Sequence, residues 1–347
     1  MNYSLFQEHT TKIYDLRNHE PTISKIKARD LLTPRRFDLF AKLYYIKHFN
    51  ANKQLAVNVY TEHIKAFNPD EREPGRDDKN TIEDFITAFN QLIDHFGSND
   101  FDDSISLIPT DCNGTILDGA HRVAALAFFD KEVTIAQFND VKAKNDFDYL
   151  YFKKRGLAWS VCDTIALEMT YWCKQLFVAC IWPNIGDKIT KNEAASAIAQ
   201  SHYVCYMKSI ATNLSSLKRF VKAVYSAQSW TQSDTAVQDK ALRCYGGDKS
   251  IWFVFFKADT DLETLIAEKE ILRKRYGKGK DSLHITDNIE ETQQIAVLVL
   301  EPSRLHSWLN ISPKSRFIEH ISEKWYYFKK VTWINFKVQI ARYLKTT

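Results

Sequence analysis

Apolar and polar positions alternate along the 347-residue chain with a period that keeps changing, and each change marks a new element. After a short irregular arm, Arg36 to Ile46 sets Phe37, Phe40, Leu43 and Tyr44 on one face at helical spacing. Asn68-Pro69 and Glu73-Pro74-Gly75 break the chain, the second as a polar loop of mixed sign running to Asn80. From Thr81 a stripe of Ile82, Phe85, Ile86, Phe89, Leu92, Ile93 and Phe96 predicts an amphipathic helix, capped by Asn80 or Thr81 and stopped by Gly97. Alternation from Ser104 to Ile108 predicts a strand. The turn Asp111-Cys112-Asn113-Gly114 would then fold a second short strand, Thr115-Ile116-Leu117, back as a hairpin. Asp118-Gly119 interrupts, a helix runs from Ala120 to Phe128 and ends near Asp130, and Val133 to Phe138 is again a strand.

Beyond residue 150 the elements lengthen. Trp159 to Trp182 is apolar enough to be a buried helix ended by Pro183, and its Asp163, Glu168 and Lys174 favour a protein core over a bilayer. Strands are expected at Tyr203–Tyr206, Ile251–Phe256 and Ser282–Ile285, and helices from Leu217 to Tyr225, Leu262 to Tyr276 and Asn288 to Leu300. The mixture predicts an α/β (α+β) chain. Its length suits about two domains at roughly 150 residues each. We place a helical N-terminal extension at 1–64, a compact core at 65–150, a mixed α/β domain at 151–324 and a C-terminal helix at 325–347.

Composition narrows the class. Hydrophobic residues at 45% and charged residues at 26%, with 18 Gly and Pro together, exclude collagen-like and disordered chains. No apolar run is long enough to span a bilayer and the start lacks a signal-peptide pattern, so a cytoplasmic protein is expected. The six cysteines include no CxxC pair, which argues against a zinc knuckle or redox motif and for reduced thiols. Charge is uneven. Residues 1–150 hold 18 Lys/Arg against 24 Asp/Glu, which leaves 29 against 19 of the chain's 47 and 43 for the rest. A basic second half suits an anionic membrane, a nucleic acid or a phosphorylated partner, and an acidic first half disfavours docking of that half along a phosphate backbone.

The chemistry concentrates in Leu117-Asp118-Gly119-Ala120-His121-Arg122-Val123-Ala124-Ala125. Glycine at a strand-to-helix corner admits a ligand to the backbone, and the N–H groups of the new helix from Gly119 through Ala120 to His121 make an anion site. Arg122 adds a guanidinium fork matched to phosphate oxygens, His121 could exchange a proton near neutrality, and Asp118 could hold a metal ion or orient the histidine.

This box resembles that of the ParB/sulfiredoxin-like superfamily, which includes the partition protein ParB, sulfiredoxin and the free serine kinases. The likeness covers roughly residues 70–140 and takes in the helix, strand and Asn-Gly turn before the box. It implies a compact α/β core that binds nucleotide phosphates. Two departures matter: the segment after the box is acidic, unlike a DNA-partition protein, and the box lacks the sulfiredoxin cysteine, Cys112 lying on the turn instead. The phosphotransferase side of the superfamily is closest, and by that resemblance a glutamate upstream of the box serves as base, with Glu73 the candidate and Glu71 second.

Two further stretches bear charge in a pattern. Lys278-Gly279-Lys280 leads into His284, Asp287, Glu290 and Glu291, which fit either a metal and phosphate site or, more simply, a helix capped by Asp287 with Glu290 completing a capping box. From Trp325 to Thr347 five basic residues interleave with aromatic ones, a pattern that suits a helix on an anionic membrane surface or a helix packed on the second domain. The combined expectation is a phosphotransferase using ATP or another nucleotide with Mg²⁺, acting on a hydroxyl-bearing small molecule or a sugar or surface-glycan precursor, peripheral at a membrane if the tail binds lipid. The alternative is a ParB-like nucleotide switch that binds nucleic acid.

Overall fold

The computed structural model describes residues 2–73 and 78–311, and the chain divides between Trp172 and Cys173 into two compact units. The class is α+β, as the residue pattern predicts. The first unit runs α1 (Glu8–Tyr14), β1 (Thr22–Lys27), α2 (Phe37–His48), α3 (Lys53–Phe67), α4 (Ile82–Ser98), β2 (Ile108–Thr110), α5 (Ala120–Phe128), β3 (Glu132–Gln137), α6 (Tyr149–Lys154) and α7 (Trp159–Trp172). β3 lies at the centre of a small sheet, with β1 antiparallel on one side and β2 parallel on the other. Thr22 stands opposite Gln137 and Lys27 opposite Glu132, so the segment expected as an N-terminal extension supplies one edge of the sheet.

Helix α2 explains why that segment cannot stand apart. Every side chain from Phe37 to Ile46 is buried, because α3, α5 and α7 surround it. Two of these buried residues are charged. Asp38 accepts from Arg36 Nε and Nη2 at 2.8 and 2.9 Å and from Lys42 Nζ at 3.1 Å, so a carboxylate sits between two cations inside the unit. Burial pushes the Asp38 carboxyl up, but the two cations outweigh it and hold the carboxyl far below its ordinary range.

The stripe of α4 behaves as expected at its start, where the Thr81 hydroxyl and the Asp84 carboxylate close a capping box. Its end differs: the helix passes through Gly97 and stops at Ser98. The strand expected at 104–108 is also displaced. Asp102 folds the chain through bonds from the N–H and hydroxyl of Ser104, Ile105 is 72% exposed, and pairing begins only at Ile108. Instead of a two-stranded hairpin, the next segment is a loop closed by a side chain. The Asp111 carboxylate accepts from the N–H groups of Asn113 and Thr115 at 2.9 and 2.8 Å, leaving a single bridge between Thr110 and Ile116.

The largest correction falls at 159–182. The helix stops at Trp172, Gln175 turns the chain at φ +56°, and Leu176–Ile181 is a strand. A continuous apolar run fits a buried helix and a buried strand equally well, so periodicity could not place this boundary. Cys180 is therefore a strand residue, and Cys173 follows the helix.

The second unit continues with β4 (Leu176–Ile181), α8 (Lys188–Ser201), β5 (Tyr203–Ala211), α9 (Leu214–Val224), α10 (Asp234–Cys244), β6 (Ser250–Lys257), α11 (Leu262–Arg275), β7 (Leu283–Ile285), α12 (Ile289–Leu300) and α13 (Pro302–Leu309). Its sheet is antiparallel in the order β5-β6-β4-β7. Strand alternation sends Val254 and Phe256 to one face, against Ala194, Ile198 and Leu265. Phe253 goes to the other face, against Phe220 at a ring distance of 5.4 Å. With both faces covered, β6 reads as the continuous apolar run seen in the sequence. The expected C-terminal helix at 325–347 lies outside the described residues. No described helix is long and apolar enough to cross a membrane.

Candidate functional site

The box lies where β2, the closed loop and α5 meet. Gly119 is the N-cap of α5 at φ +84°, a conformation that costs a side chain strain. A Cβ there would come within 2.6 Å of Ile108 Cδ1 and 3.0 Å of the Arg122 guanidinium. Among the described residues no side chain caps the helix, and the N–H groups of a first turn have no partner within their own helix. They face a cavity of about 590 Å³ in the first unit, in the size range of small-molecule sites. Glu73, Asp118, Gly119, His121 and Arg122 all line it. The structure thus brings the expected residues to one place, except Ala120, which contributes backbone in the first turn of α5.

Their individual roles are more differentiated than the sequence suggests. Arg122 Nη2 lies 3.6 Å from Asp118 Oδ2, one turn back, and both side chains are about four-fifths buried. Asp118 Oδ2 is itself buried and accepts no hydrogen bond from the described residues. An acceptor left in that state is costly unless something else occupies it. The Glu73 carboxylate accepts from Lys79 Nζ at 2.6 Å, so the candidate base comes already paired to a cation that also lines the cavity. Glu71, the second candidate, pairs instead with Lys65 and is not a lining residue.

His121 departs most from expectation. Its Nε2 lies 2.9 Å from the Tyr60 hydroxyl, and its ring meets Phe89 edge-on at 4.8 Å. Burial pushes its pKa well below the ordinary value, and the positive charges of Lys42 and Lys79 push it further. Both effects favour the neutral ring. Asp118 does not orient it, since the carboxylate turns to Arg122. His121 instead fixes the wall of the cavity through Tyr60, whose ring stacks on Phe89 at 5.4 Å.

Sequence reasoning overlooked the charge behind this wall. Burial pushes the Arg36 guanidinium down, and its pairing with Asp38, with a smaller contribution from the field of Asp118, more than offsets it. Lys42 likewise feels Glu73. A signal was present: Asp38 and Lys42 lie one turn apart inside an otherwise apolar helix, where charges are rare unless paired.

The second charged cluster resolves toward capping, shifted by one residue. Asn288, not Asp287, caps α12 by accepting from Glu291 N–H at 2.8 Å, and Glu291 accepts in return from Asp287 N–H. Among the described residues no group of three or more His, Cys, Asp or Glu side chains is placed to hold a metal ion by itself. Comparison with family models, curated proteins and solved structures gives no match.

Proposed function

We propose that the first unit is a nucleotide-dependent phosphotransferase acting on a hydroxyl acceptor. The observation that carries this reading is the uncapped N-terminus of α5, opening on a cavity that also holds Arg122, Lys79, Glu73 and the unsatisfied oxygen of Asp118. Helix N–H groups and a guanidinium recognise phosphate oxygens. Lys79 adds a second cation, and the aromatic wall of Phe85 and Phe89 gives an apolar seat for a base. In the reaction Glu73 takes the proton of the acceptor hydroxyl as that oxygen bonds to the terminal phosphorus, and the nucleoside diphosphate leaves with the bridging oxygen. Arg122, Lys79 and the helix N–H groups offset the charge on the transferring group.

Asp118 suits Mg²⁺, which commonly keeps its waters and binds through one or two carboxylates together with substrate phosphates. When bound, the ion would neutralise phosphate charge. The acceptor would be a small molecule or sugar bearing a hydroxyl. A thermal-shift screen of nucleotides with and without Mg²⁺, followed by an assay for loss of the terminal phosphate, tests the reading. Absence of any nucleotide-dependent shift would end it.

A further inference from the structure

The second unit has a cavity of its own, about 750 Å³, at the β7 edge of its sheet, between α10, α11 and the start of α12. Its floor is cationic. Lys240, Lys269 and Arg273 are all less than a tenth exposed, an unusual state for such residues unless they are paired. Lys240 pairs with Asp281, a carboxylate only 23% exposed, whereas the partners of the other two lie outward. Lys269 pairs with Asp287, whose side chain is 55% exposed, and Arg273 with Glu270, 60% exposed. Such pairs hold the floor cations only weakly, because solvent screens the carboxylate. Arg273 is fixed through Nε to the carbonyl of Leu283 at 3.1 Å, and Lys240 through Nζ to Asp281 Oδ1 at 2.6 Å and the carbonyl of Lys280 at 3.0 Å. Backbone thus positions Arg273 independently of its rim acid, and the exposed rim acids Asp287 and Glu270 can turn to water when another anion arrives.

The remaining lining sets what that anion carries. Trp230, half-buried and in contact with Tyr225 at a ring distance of 5.4 Å, gives a flat apolar face. Asp239 puts an acceptor into the same space, suited to hydroxyl donors. Lys280 stands at the lip, exposed, with no side-chain partner among the described residues. We infer that this cavity binds a phosphorylated, hydroxyl-bearing small molecule, with the phosphate on Lys269 and Arg273 and the body against Trp230. A sugar phosphate and a nucleoside monophosphate share that chemistry. Either fits a cavity of this size, and neither role depends on the reaction proposed for the first unit.

The test uses the full chain labelled with fluorotryptophan, the Trp230 resonance being assigned with Trp230→Phe. This local probe separates binding here from binding at the box. Titration with a hexose phosphate and with a nucleoside monophosphate should give a saturable shift for at least one, and the tighter ligand identifies the source. The unphosphorylated hexose and nucleoside should leave the resonance in place. Lys269→Met should weaken the affinity tenfold or more, as expected for loss of a charged donor. Lys280→Ala, at an exposed position where folding is not at risk, should weaken it by a smaller factor. The inference is overturned by an unmoved resonance with both phosphates, by an equal shift with sulfate at the same concentration, or by unchanged affinity in Lys280→Ala and a folded Lys269→Met.

Discussion

At the scale of single residues, the box separates binding from turnover. Arg122 is four-fifths buried beside Asp118, and a charged donor to phosphate is worth about 1.5–3 kcal/mol, so Arg122→Ala should weaken nucleotide affinity at least tenfold. Calorimetry showing unchanged affinity would take the box out of the site. Gly119→Val faces two penalties, a left-handed backbone costing on the order of 1–3 kcal/mol and a collision with Ile108. It should melt lower than the parent and bind nucleotide poorly; normal melting with normal binding would reduce the corner to a turn. Glu73→Gln keeps the size of the side chain and much of its contact with Lys79 while removing the base. The nucleotide-induced thermal shift should survive and transfer should fall by about 10²- to 10⁴-fold. Full activity in that variant would eliminate Glu73 as base.

Among the elements, α2 and α3 place ionisable groups where water does not reach. His63 on α3 is buried against Phe67 and Phe152, and burial, helped by Lys42, pushes its pKa well below the ordinary value. The unfolded chain takes up a proton at His63 as pH falls through about 6.5, and the folded chain does not. Stability from this group is therefore complete above that pH and is lost below it, at up to about 1.4 kcal/mol per pH unit. Urea midpoints followed from about pH 8 to about pH 5 should fall in the acid half, and His63→Leu should flatten that slope. An identical slope in the variant would assign the proton uptake to other groups. The same elements show what a one-dimensional reading can reach. The stripe and cap of α4, the corner at Gly119 and the two-sided burial of β6 follow from spacing and turn chemistry, because each is decided by residues a few positions apart. The strand within 159–182, the inward turn of His121 and the pairing of Glu73 with Lys79 depend on what packs against them, and periodicity carries no trace of that.

For the whole molecule, the uneven charge and the division at Trp172 point the same way. The residues expected of the phosphate site, and the buried Arg36–Asp38–Lys42 group behind it, all precede the division, as do the strands β1, β2 and β3 that carry the box. Phe6, Leu16, Leu107, Leu117, Ala136, Phe138 and Val141 form a core cluster within that span. A fragment of residues 1–172 should therefore fold and keep the nucleotide-induced thermal shift of the full chain. Its acidic surface should also leave it without the affinity for anionic polymers that the basic remainder confers, and salt should then change its nucleotide affinity only modestly. Circular dichroism, thermal shift and heparin retention of the fragment beside the full chain would measure these properties. A folded fragment that has lost nucleotide binding would assign part of the phosphate site to residues beyond 172, whereas retained binding with tight heparin retention would place the basic surface in the first unit.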